Sequence, residues 1–114
     1  MTYAIHEQET VQVVQVNNLV DELDNKVILQ DVRQLIARGS NDFVIDLSDL
    51  NFMNSVGLNF LISMMTASKA SGGFLAVANA NQQVITLLEV TKLKNMFKLT
   101  KTVEDAFLAF GKNN

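Results

Sequence analysis

Apolar positions along this chain follow two rhythms by turns, the period of two that suits a strand and the three-to-four spacing of a helix. Residues Thr10 to Val16, TVQVVQV, are β-branched and partly alternating, which predicts a strand, with Tyr3 to Ile5 as a short edge strand beside it. Asn17 and Asn18 turn the chain. Asp21 is placed to cap a helix reaching Ala37, in which Ile28, Val32, Leu35 and Ile36 keep helical spacing and after which Gly39 marks the stop. The run Phe43 to Leu47 is short and mostly apolar, as in a strand buried on both faces. The helix after Ser55 continues to about Ser71, closed by Gly72 and Gly73, which release a strand over Phe74 to Ala78. Asn81 caps a short helix bearing Val84, Leu87 and Leu88, and Asn95 to Leu99 supplies a last strand. Thr102, three residues before Asp105, opens a final helix that buries Val103, Ala106, Phe107 and Phe110. The order β-β-α-β-α-β-α-β-α calls for crossover connections. The expected fold class is therefore α/β: a mostly parallel central sheet opened by an N-terminal antiparallel hairpin, with about four helices.

Composition narrows what such a fold does. The 114 residues suit one domain, 1–114, and with no Pro and five Gly at turns nothing reads as a linker. Hydrophobic residues at 48% against 18% charged place the chain among folded proteins. It has no Cys and a single His, His6, which excludes a disulfide framework, a thiolate metal site and a multi-histidine metal site. No cofactor is expected, since Gly72 and Gly73 end a helix rather than open one around a phosphate. Net charge is -3 without a run of like charge, so a nucleic-acid partner finds no electrostatic support. Nine of the twelve acids lie in residues 1–50 and six of the nine Lys and Arg residues lie beyond, a drift that solvated faces account for. No stretch approaches the ~18 apolar residues of a membrane span, and no basic segment followed by an apolar run opens the chain. Membrane insertion is not expected, and the cytoplasm is the expected compartment.

The chemistry concentrates in Asp46 to Leu58, DLSDLNFMNSVGL, where a strand hands over to a helix and delivers Ser55 and Gly57 to the helix start. Backbone N–H groups there are unpaired and the helix dipole is positive, so the place welcomes an anion, a phosphate included. The plain alternative is that Ser55 is only an N-cap. Along the helix, Leu58, Leu61, Ile62 and Met65 form a stripe suited to the sheet, while Val56, Phe60 and Ala67 project on the other side with Met64 flanking them. That second stripe is covered either by another helix of the domain or by a partner protein. A hydrolase elbow is disfavoured: Met53 holds the position of its first glycine, and the one histidine lies upstream of the serine instead of downstream. No catalytic residues are expected.

This stretch, followed by a helix, Gly-Gly and an apolar strand, resembles the signature of the STAS family, D-L-S-x-L-x-F-[ML]-D-S-[ST]-G-L, at Asp46, Leu47, Ser48, Leu50, Phe52, Met53, Ser55, Gly57 and Leu58. The resemblance implies a single STAS-like domain acting as a non-enzymatic regulator of the anti-sigma-factor antagonist type. It implies a serine protein kinase that doubles as an anti-sigma factor as partner, release by phosphorylation at Ser55, and a serine phosphatase that resets the cycle. Partner contacts implied near the serine are Asp21, Asn54, Val56 and Gly57, to which the second helical stripe adds Phe60 and Met64. The chain departs from the family pattern at Asn54, where an acid is usual, at Val56, where a second small hydroxyl residue is usual, and at Lys92, where Gly is common. Asn18-Leu19-Val20-Asp21 stands for the family's Gly-x-Leu-Asp with the glycine lost. Domains of this kind also serve as scaffold or accessory subunits of signalling or transport assemblies, and a stable high-order particle in sedimentation would mark that role. A weak homodimer is compatible with either.

Overall fold

The N-terminal strands meet across a turn that no glycine eases. In the computed structural model, which describes residues 3–111, β1 (Tyr3–Gln8) pairs antiparallel with β2 (Val11–Val16) from Tyr3 opposite Val16 to Gln8 opposite Val11. The edge strand thus runs three residues past Ile5. Thr10 leaves the predicted strand for the turn, where Glu9 and Thr10 take φ values of 52° and 69°. A two-residue hairpin turn of the type with positive φ at both positions matches the twist of its strands, and a β-branched residue resists that conformation. Replacing the pair by Asn-Gly is expected to raise stability by about 1 kcal/mol, read as a rise of several degrees in melting temperature.

The remaining elements alternate: α1 (Glu22–Ala37), β3 (Phe43–Asp46), α2 (Ser55–Ala70), β4 (Leu75–Ala78), α3 (Gln82–Val90), β5 (Lys98–Thr100) and α4 (Val103–Gly111). Strands lie in the order β1-β2-β3-β4-β5, parallel from β2 onward. Because that order never reverses, right-handed crossovers carry α1, α2 and α3 to the same face of the sheet. Phe43, Ile45, Leu75 and Val77 point to that face and join Ile28, Val32, Leu61, Met64, Val84 and Leu88 in one core. Their neighbours Val44, Ala76 and Ala78 point the other way, onto Ala106 of α4. Alanines on both sides let α4 lie close to the sheet. Tyr3 donates a hydrogen bond to the Asp31 carboxylate, tying the edge strand to α1; that bond, then burial and the carboxylate's charge, hold the phenol above its usual pKa.

Predicted caps recur at Asp21, which accepts from the N–H groups of Leu23 and Asp24, at Asn81, which accepts from Val84, and at Thr102, which accepts from Asp105. The last strand is displaced. Lys92 adopts φ 61° and a 3-10 turn occupies Lys94–Met96, so pairing with β4 begins only at Lys98. Among the described residues no helix is long and apolar enough to cross a membrane.

Candidate functional site

The loop from Leu47 to Asn54 leaves the sheet after one last ladder bond, so much of its backbone depends on side chains. Asp46 Oδ1 accepts from Ser48 N–H at 3.0 Å and from the side chain of Asn79 at 2.9 Å, tying this loop to the one after β4. Leu47 N–H continues the ladder to the carbonyl of Ala78, and Leu50 N–H closes a turn onto Leu47. Leu47, Leu50 and Met53 are buried beneath. Most of the apolar signature is therefore scaffolding for the turn. Phe52 is the exception: it stands 55% exposed, three residues before Ser55.

Helix α2 begins at Ser55, but the cap is its predecessor. Asn54 is extended, and its Oδ1 accepts from Val56 N–H at 3.0 Å and from Gly57 N–H at 3.4 Å. Ser55 is not the N-cap. It is the exposed first residue of the helix, and its hydroxyl has no hydrogen-bond partner among the described residues. Asparagine ranks with the best N-caps, so Asn54 carried a legible signal of its own beside its departure from the family's acid. Asn54→Ala is expected to cost about 1 kcal/mol in a denaturant titration, while Asn54→Asp, which keeps the cap and favours the helix dipole, should cost nothing.

Three of the expected contact residues lie inside the fold. Phe60 is 4% exposed and Met64 is fully buried, both within the core shared with Ile28 and Val32 of α1. The second stripe of α2 is thus covered by α1, because two adjacent crossover helices on one face must pack side by side. Gly57 is buried as well: a Cβ there would stand 2.6 Å from Met53 Cγ and 3.3 Å from Leu19 Cβ. Its value is the close approach of the first turn of α2 to Met53 and to the loop before α1.

That approach brings Asp21 to the same end of the sheet as Ser55. Asp21 is exposed at the head of α1, two residues after Leu19, whose carbonyl accepts from the buried Asn25 side chain at 2.9 Å. Val56 is half-buried and, with Phe60, faces Glu22, Lys26 and Leu29 across an open groove between α1 and α2. The first turn of α1 holds Glu22 and Asp24, and that of α2 holds no acid. The result is an uncommitted hydroxyl at a positive helix end, with exposed Phe52 three residues before it and exposed Val20 and Leu23 about the head of α1. His6 lies elsewhere, exposed on edge strand β1 beside a hollow lined by Asp31 and Arg38, so no imidazole accompanies the serine.

Known proteins share this fold. A family model described as the STAS domain matches residues 2–106. A relative from Thermotoga maritima is 27% identical over 73 residues, covering 64% of this chain and 65% of that protein, so the match spans just under two thirds of that relative's length. The anti-sigma-B factor antagonist of Bacillus subtilis is 28% identical over 89 residues, covering 76% of this chain and 82% of that one. In fold, the chain is similar to the anti-sigma factor antagonist SpoIIAA in its unphosphorylated form, at TM-score 0.80 and 15% identity over 99% of this chain and 98% of that one. It is also similar to the phosphorylated form of SpoIIAA from Bacillus, at TM-score 0.74 and 16% identity over 96% of this chain and 99% of that one.

Proposed function

The chain belongs to the STAS domain family, and from that premise we propose that it is a non-enzymatic anti-sigma-factor antagonist whose partner, a serine kinase that is also an anti-sigma factor, is released by phosphorylation of Ser55. One observation carries the reading: Asn54 takes over the capping of α2, which leaves the Ser55 hydroxyl exposed and free at the helix tip. A hydroxyl busy with its own backbone would be a poor phosphate acceptor.

The physics of the switch follows from the same position. A phosphate adds about -1.5 to -2 charges and three acceptor oxygens. At a helix N-terminus a negative charge is worth roughly 0.3–1 kcal/mol, so the domain keeps its fold. A partner packed on that tip meets the added charge with apolar groups or carboxylates, and the repulsion and lost solvation come to a few kcal/mol. The switch therefore works by excluding the partner rather than by refolding the domain. Asn54 and Val56 adjoin the serine along the chain, Asp21 lies at the same end of the sheet, and Phe52, Val20 and Leu23 supply apolar contact area there. A serine phosphatase returns the chain to its binding form.

The test uses wild type and Ser55→Ala as baits in a native lysate supplied with ATP. The reading expects a captured protein with kinase activity that adds one phosphate to wild type, located at Ser55 by mass spectrometry, and none to Ser55→Ala. Phosphate on another residue, or capture without transfer, counts against it.

A further inference from the structure

The loop before Ser55 is held from outside, by the start of α3. The side chain of Gln83 makes two hydrogen bonds to one residue: Met53 N–H donates to its Oε1 at 2.9 Å, and its Nε2 donates to the Met53 carbonyl at 2.8 Å. A carboxamide used in this way imitates the edge of a strand, one donor and one acceptor side by side. Next to it the Asn81 side chain donates to the carbonyls of Leu50 and Asn51, each at 3.1 Å, while its own oxygen caps α3. Met53 is 1% exposed, so without Gln83 its backbone groups would sit unpaired away from water.

Met53 is also the residue on which α2 rests. Its Cγ lies against Gly57, the third residue of that helix, closely enough that no Cβ fits between. The contacts run in one line: Gln83 grips the Met53 backbone, the Met53 side chain supports Gly57, and Gly57 sets the first turn that carries Ser55.

We infer that Gln83 is a positioning residue for Ser55, fixing through Met53 the loop and helix start that present the hydroxyl. This rests on the proposed role of Ser55, and it adds that presentation is set by α3, a separate element 30 residues along the chain from Met53. Shifting or loosening the start of α3 would misplace the hydroxyl while the core stays packed.

Because the chain has no cysteine, Ser55→Cys installs a single thiol at the position in question. A thiol at a well-formed helix N-terminus ionises below its ordinary pKa of about 8.5, so its alkylation by iodoacetamide across pH reports the local geometry. Two proteins are compared, Ser55→Cys alone and Ser55→Cys with Gln83→Met, a substitution of similar length that makes neither bond. The second is expected to show Met53 amide exchange at least tenfold faster, alkylation at pH 7 at least threefold slower, and a profile midpoint moved toward about 8.5. An unchanged thiol profile overturns the assignment, whatever happens to the melting temperature. Gln83→Asn, polar but one methylene short of Met53, is judged by the same two readouts should Gln83→Met not fold. Neither readout uses a partner, so a missing kinase and a failed clamp are separate results.

Discussion

Replacing Ser55 by aspartate is expected to weaken the partner complex at least a hundredfold, and full phosphorylation to weaken it further, while Ser55→Ala binds within a few fold of wild type. The ranking follows charge. Two like charges about 4 Å apart at an effective dielectric near 20 repel by about 4 kcal/mol, and each 1.4 kcal/mol is a factor of ten in affinity. Aspartate brings one charge on a short arm, and phosphate brings nearly two on a longer one. The domain itself should not suffer, since the first turn of α2 holds no acid and an anion there complements the helix dipole. Calorimetric titration of the captured kinase with the three proteins, beside thermal melts of each, checks both halves. Equal affinity for Ser55→Asp, Ser55→Ala and the phosphorylated protein would remove the basis of the switch. Loss of affinity together with a collapsed melting temperature would show refolding instead of exclusion.

Gly73→Ala is expected to destabilise the domain by about 3–5 kcal/mol, enough to lower the melting temperature by at least ~10 °C. A Cβ there would stand 1.7 Å from the carbonyl oxygen of Asn41 and 2.4 Å from its carbon. Those atoms are backbone and cannot step aside. Asn41 O already accepts from the Ser68 hydroxyl at 2.8 Å, Gly73 N–H bonds to Ser68 O, and Phe74 N–H bonds to the Asp42 carboxylate, so β3 and β4 start from one knot. Its neighbour Gly72 has φ 82° with nothing within 4 Å of a Cβ, and Gly72→Ala should cost only about 1 kcal/mol. Urea titrations of the two variants check the contrast. Equal, small losses would mean that the chain at Asn41 yields far more than its bonds suggest.

These two glycines also mark a limit of reading the chain as a string. Both stand where a helix stop is expected, and only one is there for its backbone angle. The need for Gly73 comes from Asn41, 32 residues earlier, and no local pattern announces it. Gln83 is similar: on its own helix it is one polar residue in the first turn, and its importance comes from Met53. Phe60 and Met64 show the same effect in reverse, since the period of the helix correctly places them on a second apolar stripe but carries no information about which neighbour covers it. The last strand starts three residues late and ends one residue late because Lys92 in a left-handed conformation and the 3-10 turn after it spent the chain that the apolar pattern had assigned to pairing.

What local chemistry governs was readable without coordinates. Strand and helix periods, the caps at Asp21, Asn81 and Thr102, the element order and the thirteen-residue stretch around Ser55 all depend on residues within a few positions of one another, and they led to the α/β sheet and to its serine. What depends on contact between distant segments was decided on folding: that Gly73 lies against the Asn41 backbone, that α1 closes over Phe60 and Met64, and that α3 grips the loop. Hydrogen bonds and close packing reach only a few ångströms, so which side chain is spared for a partner is known once the neighbours have been brought within that distance.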